Sequence, residues 1–211
     1  MHNDTSFSGP IEVMAPVGSW ESLAAAIRAK ADAVYFGVGR LNMRAGSASA
    51  FTLDDLREIA GTCREHGIKS YLTLNTIIYD DDMEEMRQTL DAAQEAGVSA
   101  IIASDMAVHS SLPIHLSTQL NISNTAALRF YAQFADVVVL ARELRMEQVK
   151  RIHEAIEREH ICGPSGLPVR IEMFCHGALC MAVSGKCYMS LDAANRSANR
   201  GQCIQVCRRS Y

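Results

Sequence analysis

Short β-rich runs alternate along this chain with longer amphipathic runs, and this alternation restricts the fold more than any other feature. Ile11–Ala15 reads as a strand. Ser19 then caps a helix whose apolar positions Leu23, Ala26 and Ile27 fall at helical spacing. Asp32–Phe36 is a second strand, closed by Gly37 and Gly39. Thr52 is placed to cap a helix through Leu53, Leu56, Ile59 and Ala60, which Gly67 ends. Lys69–Leu74 is a third strand, and a helix from Asp82 to Ala96 stops at Gly97. Ala100–Ala103 is a fourth strand, after which Asp105 opens a short helix. Ile114–Ser117 is the fifth, with Ser123 or Asn124 capping a helix through Leu128 and Tyr131. Asp136–Leu140 is the sixth, Met146–His160 a charged amphipathic helix, and Val169–Phe174 the seventh.

Strand and helix alternating through short turns imply parallel βαβ units with right-handed crossovers. Seven such units in an α/β chain point to a TIM-type (β/α) barrel rather than an open doubly wound sheet. The first strand runs into Ala15-Pro16-Val17-Gly18-Ser19 rather than G-x-G-x-x-G, which disfavours a dinucleotide fold. A closed barrel of this type takes eight strands and about 250 residues. Seven strands in 211 residues therefore predict an incomplete barrel, the N-terminal portion of a longer protein. The expected division is a flexible lead-in over 1–10, the barrel over 11–174, and a Cys-rich metal-binding segment over 175–211.

The composition fits: 48% hydrophobic residues suffice for one core, and 21% charged residues with a mean hydropathy of +0.01 describe an ordinary soluble globular chain. The longest apolar run is too short to span a bilayer. Met1–Pro10 lacks the basic and apolar regions of a secretory signal, so the expected location is cytoplasmic. A net charge of −4 speaks against a general nucleic-acid binder. The last stretch nevertheless carries Lys186, Arg196, Arg200, Arg208 and Arg209 against one acid, Asp192. It reads either as a solvated tail or as a patch facing an anion such as RNA phosphate or a metal–thiolate cluster.

Of seven cysteines, Cys63 falls in a helical pattern and reads as packing, and Cys162 precedes a Gly-Pro-Ser-Gly loop. The other five lie between Cys175 and Cys207, and packing alone would not concentrate them there. From Cys180 the intervening lengths to Cys187, Cys203 and Cys207 are six, fifteen and three residues, unlike the paired C-x-x-C of a zinc ribbon. Thiolate-rich sites select zinc or iron–sulfur clusters, and clusters tolerate irregular spacing. An iron–sulfur cluster, zinc and unligated thiols are the three readings.

Barrel function collects where strands end, in the βα loops. That rule nominates Asn42 and Arg44, Asn75, Asp105, Ser117, Gln119 and Asn121, Arg142 and Glu143, and Cys175 with His176. Singly, Asn75, Asp105 and Asn121 read as caps of turns or helices. As a ring around one mouth they make a pocket. His176 reads as loop surface or, beside a cysteine, as a ligand or general acid–base group.

Glu172–Ser190, reading EMFCHGALCMAVSGKCYMS, closely resembles the signature of the collagenase-like peptidase family U32. Glu12–Gly18 is similar to that family's opening strand, with Val17 where Ala is usual. Asp32–Gly37, Ser117–Gln119 and the terminal Cys203-x-x-x-Cys207-Arg208-Arg209-x-Tyr211 agree as well. The resemblance implies one of two activities. Some members are named for collagen degradation. Others are oxygen-independent hydroxylation factors acting on tRNA or ribosomal RNA bases, or on the ubiquinone ring, with a [4Fe–4S] cluster on four cysteines. It implies Cys180, Cys187 and Cys203 as three ligands. The fourth lies beyond Tyr211 in such members; here either Cys207 substitutes for it or the site is left incomplete. No G-x-S-x-G or H-E-x-x-H supports a protease, and Cys175 and His176, as strand neighbours, would point to opposite faces. The expected division of roles is therefore a cluster on the cysteines, His176 and Glu172 as proton or positioning groups, and Asn75, Gln119, Arg44 and Asp105 lining a pocket for an RNA base, a quinone ring or a peptide. A non-enzymatic scaffold or RNA-binding module is the remaining alternative.

Overall fold

The computed structural model describes residues 11–46, 51–177 and 180–209. Seven parallel strands pair in chain order: β1 Met14–Pro16, β2 Ala33–Phe36, β3 Lys69–Leu74, β4 Ala100–Ala103, β5 Ile114–Leu116, β6 Val137–Val139 and β7 Arg170–Glu172. Helices α1 Trp20–Arg28, α2 Leu56–Glu65, α3 Met83–Ala96, α4 Thr125–Tyr131 and α5 Met146–Glu159 lie between them, and a short α6, Met189–Ala194, follows β7. β1 and β7 are the two edges of the sheet, which curls into a half-barrel. The expected lead-in over 1–10 lies outside the described residues. Among the described residues no helix is long and apolar enough to cross a membrane.

The pleat assigns the two sheet faces. Val34, Phe36, Leu72, Leu74 and Ile101 point outward and meet Leu23, Ile59 and Leu90 of the first three helices. Leu116, Val138 and Leu140 meet Leu128, Ile152 and Ile156 of α4 and α5. Each fully buried aliphatic or aromatic side chain contributes roughly 1.5–3 kcal/mol. The intervening residues face the lumen, where Ala33, Tyr71, Ala100 and Ile102 pack with Met14 and Tyr35.

Several local expectations change. Thr52 does not cap α2; the helix begins later, at Leu56, and Asp55 ties the preceding turn by accepting from the Thr52 amide and hydroxyl, both at 2.7 Å. Asp105 opens a turn and no helix, because its carboxylate accepts from the amides of Ile78 and Ala107, both at 3.0 Å, and so joins two loops. Ser19 and Asn124 do cap α1 and α4. His160 leaves α5 in the left-handed conformation, so that helix ends at Glu159. The second, fifth, sixth and seventh strands lose residues at their ends, where pairing stops, and the first is Met14–Pro16, displaced towards the C-terminus because Pro16 rather than Ile11 lies in register with the second strand.

Candidate functional site at the half-barrel mouth

The loops at the C-terminal ends of the strands carry the cysteine-bearing segment. Asn121 Nδ2 donates to the Ser184 carbonyl at 2.6 Å, and Arg142 donates to the Ser184 hydroxyl at 2.5 Å. Gly185 is left-handed with φ +69°, and a Cβ there would come within 2.9 Å of the Gln119 carbonyl, so only glycine lets the segment approach this closely. Further along, the Gly46 amide donates to the Gly201 carbonyl at 3.1 Å, and Gly201 sits against the Asn42 backbone. The anchor is Asp82, whose side chain is only 3% exposed; it accepts from Arg200 at 2.6 Å and from Arg40 at 2.7 Å. Arg200 also lies 4.0 Å over the Tyr79 ring. The Arg200 and Arg40 guanidiniums hold the Asp82 carboxyl well below the usual carboxylate range.

Below this cover the lumen is ionisable. Glu12 accepts from Lys69 Nζ and from the Tyr71 hydroxyl, both at 2.5 Å. Burial pushes the Glu12 carboxyl up, but these two donors together outweigh it and leave its pKa lowered. His115, 5% exposed, packs its ring 4.7 Å from that of Tyr71, and its Nδ1 has no hydrogen-bond partner among the described residues. Burial, aided by the charge of Arg170, lowers its pKa to about 4, so the ring is neutral. Glu172, at the end of β7, faces the opposite situation. Its burial, and then the charge of Glu12, raise its pKa to about 7, and no described residue donates a hydrogen bond to its carboxyl. It is therefore a carboxylic acid for much of its time at neutral pH.

The residues nominated from sequence divide accordingly. Asn75 Oδ1 accepts from the Met43 amide at 3.1 Å, which pins the loop carrying Arg44. The Arg44 guanidinium lies 5.8 Å from the centroid of the Tyr35 ring. Tyr35, Asn42, Arg44, Thr73 and Asn75 line one cleft. Gln119 follows β5 with a buried, unpartnered Oε1 against the cysteine segment, whereas Asp105 is spent on loop geometry. His176 is exposed in the loop after β7. Cys180 and Cys203 are exposed, Cys187 and Cys207 half-buried, and all are free thiols. The Cys187 amide donates to Asn199 Oδ1 at 3.3 Å, and Cys203 Sγ lies 4.0 Å from the Ser190 hydroxyl.

These uncommitted thiols suit a thiophilic metal in their chemistry. They are not drawn together: among the described residues no three His, Cys, Asp or Glu side chains are grouped to hold a metal ion. The donor set fits an iron–sulfur or zinc site, while the assembled geometry is not supplied by this segment alone.

Sequence reasoning missed Glu12, Lys69, Tyr71, His115 and Arg170 as a group. The signal lay in the strands themselves. Parallel strands buried on both faces read as nearly continuous apolar runs. Lys69-Ser-Tyr71-Leu-Thr73, Ile114-His115-Leu116 and Arg170-Ile-Glu172 instead carry a polar side chain at every lumen-facing position.

A model of peptidase family U32 matches residues 18–211. The chain belongs to peptidase family U32. Its relatives in the family carry two kinds of name. A collagenase of Porphyromonas gingivalis is 66% identical over 95% of this chain and 50% of its own length. The 23S rRNA 5-hydroxycytidine synthase of Escherichia coli is 34% identical over 98% of this chain and 30% of its own. A tRNA hydroxylation protein of Bacillus subtilis is 33% identical over 95% and 46%. The chain thus spans half or less of the length of these relatives. The solved structure of a U32 peptidase shares the fold, with a TM-score of 0.58 over 82% of this chain and 71% of that one at 16% identity.

Proposed function

We propose that this U32 chain is the substrate-binding and thiol-bearing part of an oxygen-independent hydroxylation factor that acts on an RNA base. The supporting observation is the arrangement at the mouth, where a segment of free cysteines is docked over a polar lumen containing a protonatable carboxyl. A [4Fe–4S] cluster on Cys180, Cys187 and Cys203, with Cys207 or a residue beyond this chain as the fourth ligand, would supply the redox chemistry. The chain's own residues bind and orient the substrate. Arg44 and Asn75 hold it at the rim with Gln119 lining the pocket, Asn121 and Arg142 fix the overlying segment, and Glu172 gives or takes a proton at its carboxyl oxygen. His176, exposed in the loop, is a secondary proton group.

The test is anaerobic purification with iron and sulfide analysis, together with mass spectrometry of nucleosides in RNA from cells with and without the protein. Iron that is lost in Cys180→Ala and Cys187→Ala, with a hydroxylated pyrimidine that depends on the protein, supports the reading. Iron-free protein that leaves RNA unchanged removes it.

A second reading, a collagenase-like peptidase, is favoured by the 66% identity to the Porphyromonas gingivalis collagenase. Gelatin hydrolysis that survives loss of the cysteines would select it.

A further inference from the structure

We infer that the cleft between Tyr35 and Arg44, bounded by Thr73 and Asn75, receives a single unstacked nucleobase. This inference rests on the RNA reading and gives it a place and a recognition chemistry.

Tyr35 is a half-buried lumen-facing ring of β2, and burial raises its pKa, so the phenol stays neutral. Arg44 is exposed, makes no ion pair among the described residues, and is poised over that ring. A flat ring held between an aromatic face and a guanidinium plane is a common way for proteins to grip an unpaired base. Among the described residues Arg44 is bound through its backbone and this ring contact alone, so its side chain can lift to admit one.

The edge of such a ring presents hydrogen-bond donors and acceptors, and the cleft holds groups with unspent capacity to meet them. Asn75 uses Oδ1 on Met43 and leaves its amide nitrogen available. Glu172 stands on the lumen side at the end of β7 and receives no hydrogen bond among the described residues. As a carboxylic acid it both donates and accepts. Deeper in the same lumen, the buried His115 Nδ1 lacks a partner. A buried polar group without a partner is costly, and a ligand reaching into the lumen would give the His115 Nδ1 one. A peptide would use these groups poorly. It offers no obligatory flat ring to the Tyr35–Arg44 pair, and its backbone pairs best with an exposed strand edge.

The experiment is calorimetric titration of the 211-residue protein with cytidine and uridine 5′-monophosphates, with ribose 5-phosphate as the probe lacking a base. At least one nucleotide should bind measurably better than ribose 5-phosphate. Tyr35→Ala should weaken that binding about tenfold or more, the usual range for loss of one base–aromatic stack. Tyr35→Phe should keep it, which separates loss of the platform from loss of the fold. Glu172→Ala should weaken binding, and Glu172→Gln, which still donates and accepts, should restore most of it. Equal binding by wild type and Tyr35→Ala, or binding no better than that of ribose 5-phosphate, overturns the site. If hydroxylated nucleosides still depend on the protein in that case, the RNA reading stands and only this location is lost.

Discussion

On the outer face of the sheet, Phe36, Leu72, Leu74 and Ile101 are sealed against helices. On the inner face of the sheet, Tyr35, Lys69, Tyr71, Thr73, His115 and Glu172 stand in the lumen beside a small apolar cluster of Ala33, Ala100 and Ile102. The chain is the same and the spacing is one residue, but the two faces serve different purposes. The outer face contributes apolar burial, which is large and insensitive to pH. The inner face keeps ionisable groups out of water, which is costly, and such groups gather where chemistry needs them. A similar contrast separates the barrel from the cysteine segment. The barrel is held by its core, the segment by Asp82, Asn121, Arg142 and close glycine contacts.

The largest expected effect tests the outer face. Leu72→Ala should destabilise the protein by about 2–5 kcal/mol, measured by denaturant unfolding. Tyr71→Phe, on the other face one residue away, should cost much less. Equal losses would erase the distinction between the faces.

Next comes the segment. Asp82→Ala strips Arg40 and Arg200 of their shared carboxylate and should cost about 1–3 kcal/mol. The loss should be local. Hydrogen exchange should quicken over residues 196–209 and Cys203 should label faster, while the sheet stays protected. Acid should act similarly. The folded pKa of Asp82 is depressed, so its contribution is present above about pH 4 and is lost as pH falls towards the lower folded value. Sheet and segment loosening together would mean the anchor is part of the core.

Smaller shifts probe the lumen through pH. Glu172 has a folded pKa raised from 4.5 to about 7, so stability tied to it is full below pH 4.5 and declines as pH rises through about 7. Melting temperatures between pH 5 and 8 should fall less steeply in Glu172→Gln. His115 works in the other direction: its pKa is lowered from 6.5 to about 4, so its contribution is full above pH 6.5 and fades as pH falls towards 4. His115→Phe should flatten that acid limb by the smallest margin of the set. If neither variant changes its slope, the lumen groups are not buried as ionisable groups.

Much of the architecture was legible beforehand. Lys69–Leu74 and Ala100–Ala103 matched residue for residue, because a run of alternating or continuous apolar residues soon after a helix-ending glycine, Gly67 or Gly97, leaves little choice of element. Thr52 and Asp105 misled for a common reason. Both are residues that satisfy backbone amides in turns as readily as at helix starts, and only the neighbouring loop decides which. For the site, Arg44, Asn75 and Gln119 could be nominated from their positions at strand ends and Glu172 from the family signature, but their partners could not be read.

The sequence by itself determined seven strands, their parallel order and the apolar outer face, since each follows from periodicity over a few neighbouring residues and the fixed hand of βαβ crossovers. Tertiary structure alone decided which acid of Asp80-Asp81-Asp82 would be buried, because its partner Arg200 lies 118 residues away. It also decided that Glu172 would hold its proton, through burial and the nearby charge of Glu12 from the opposite edge of the sheet. Charge and burial are set by everything within a few ångströms, and in a curled sheet those neighbours come from both ends of the chain.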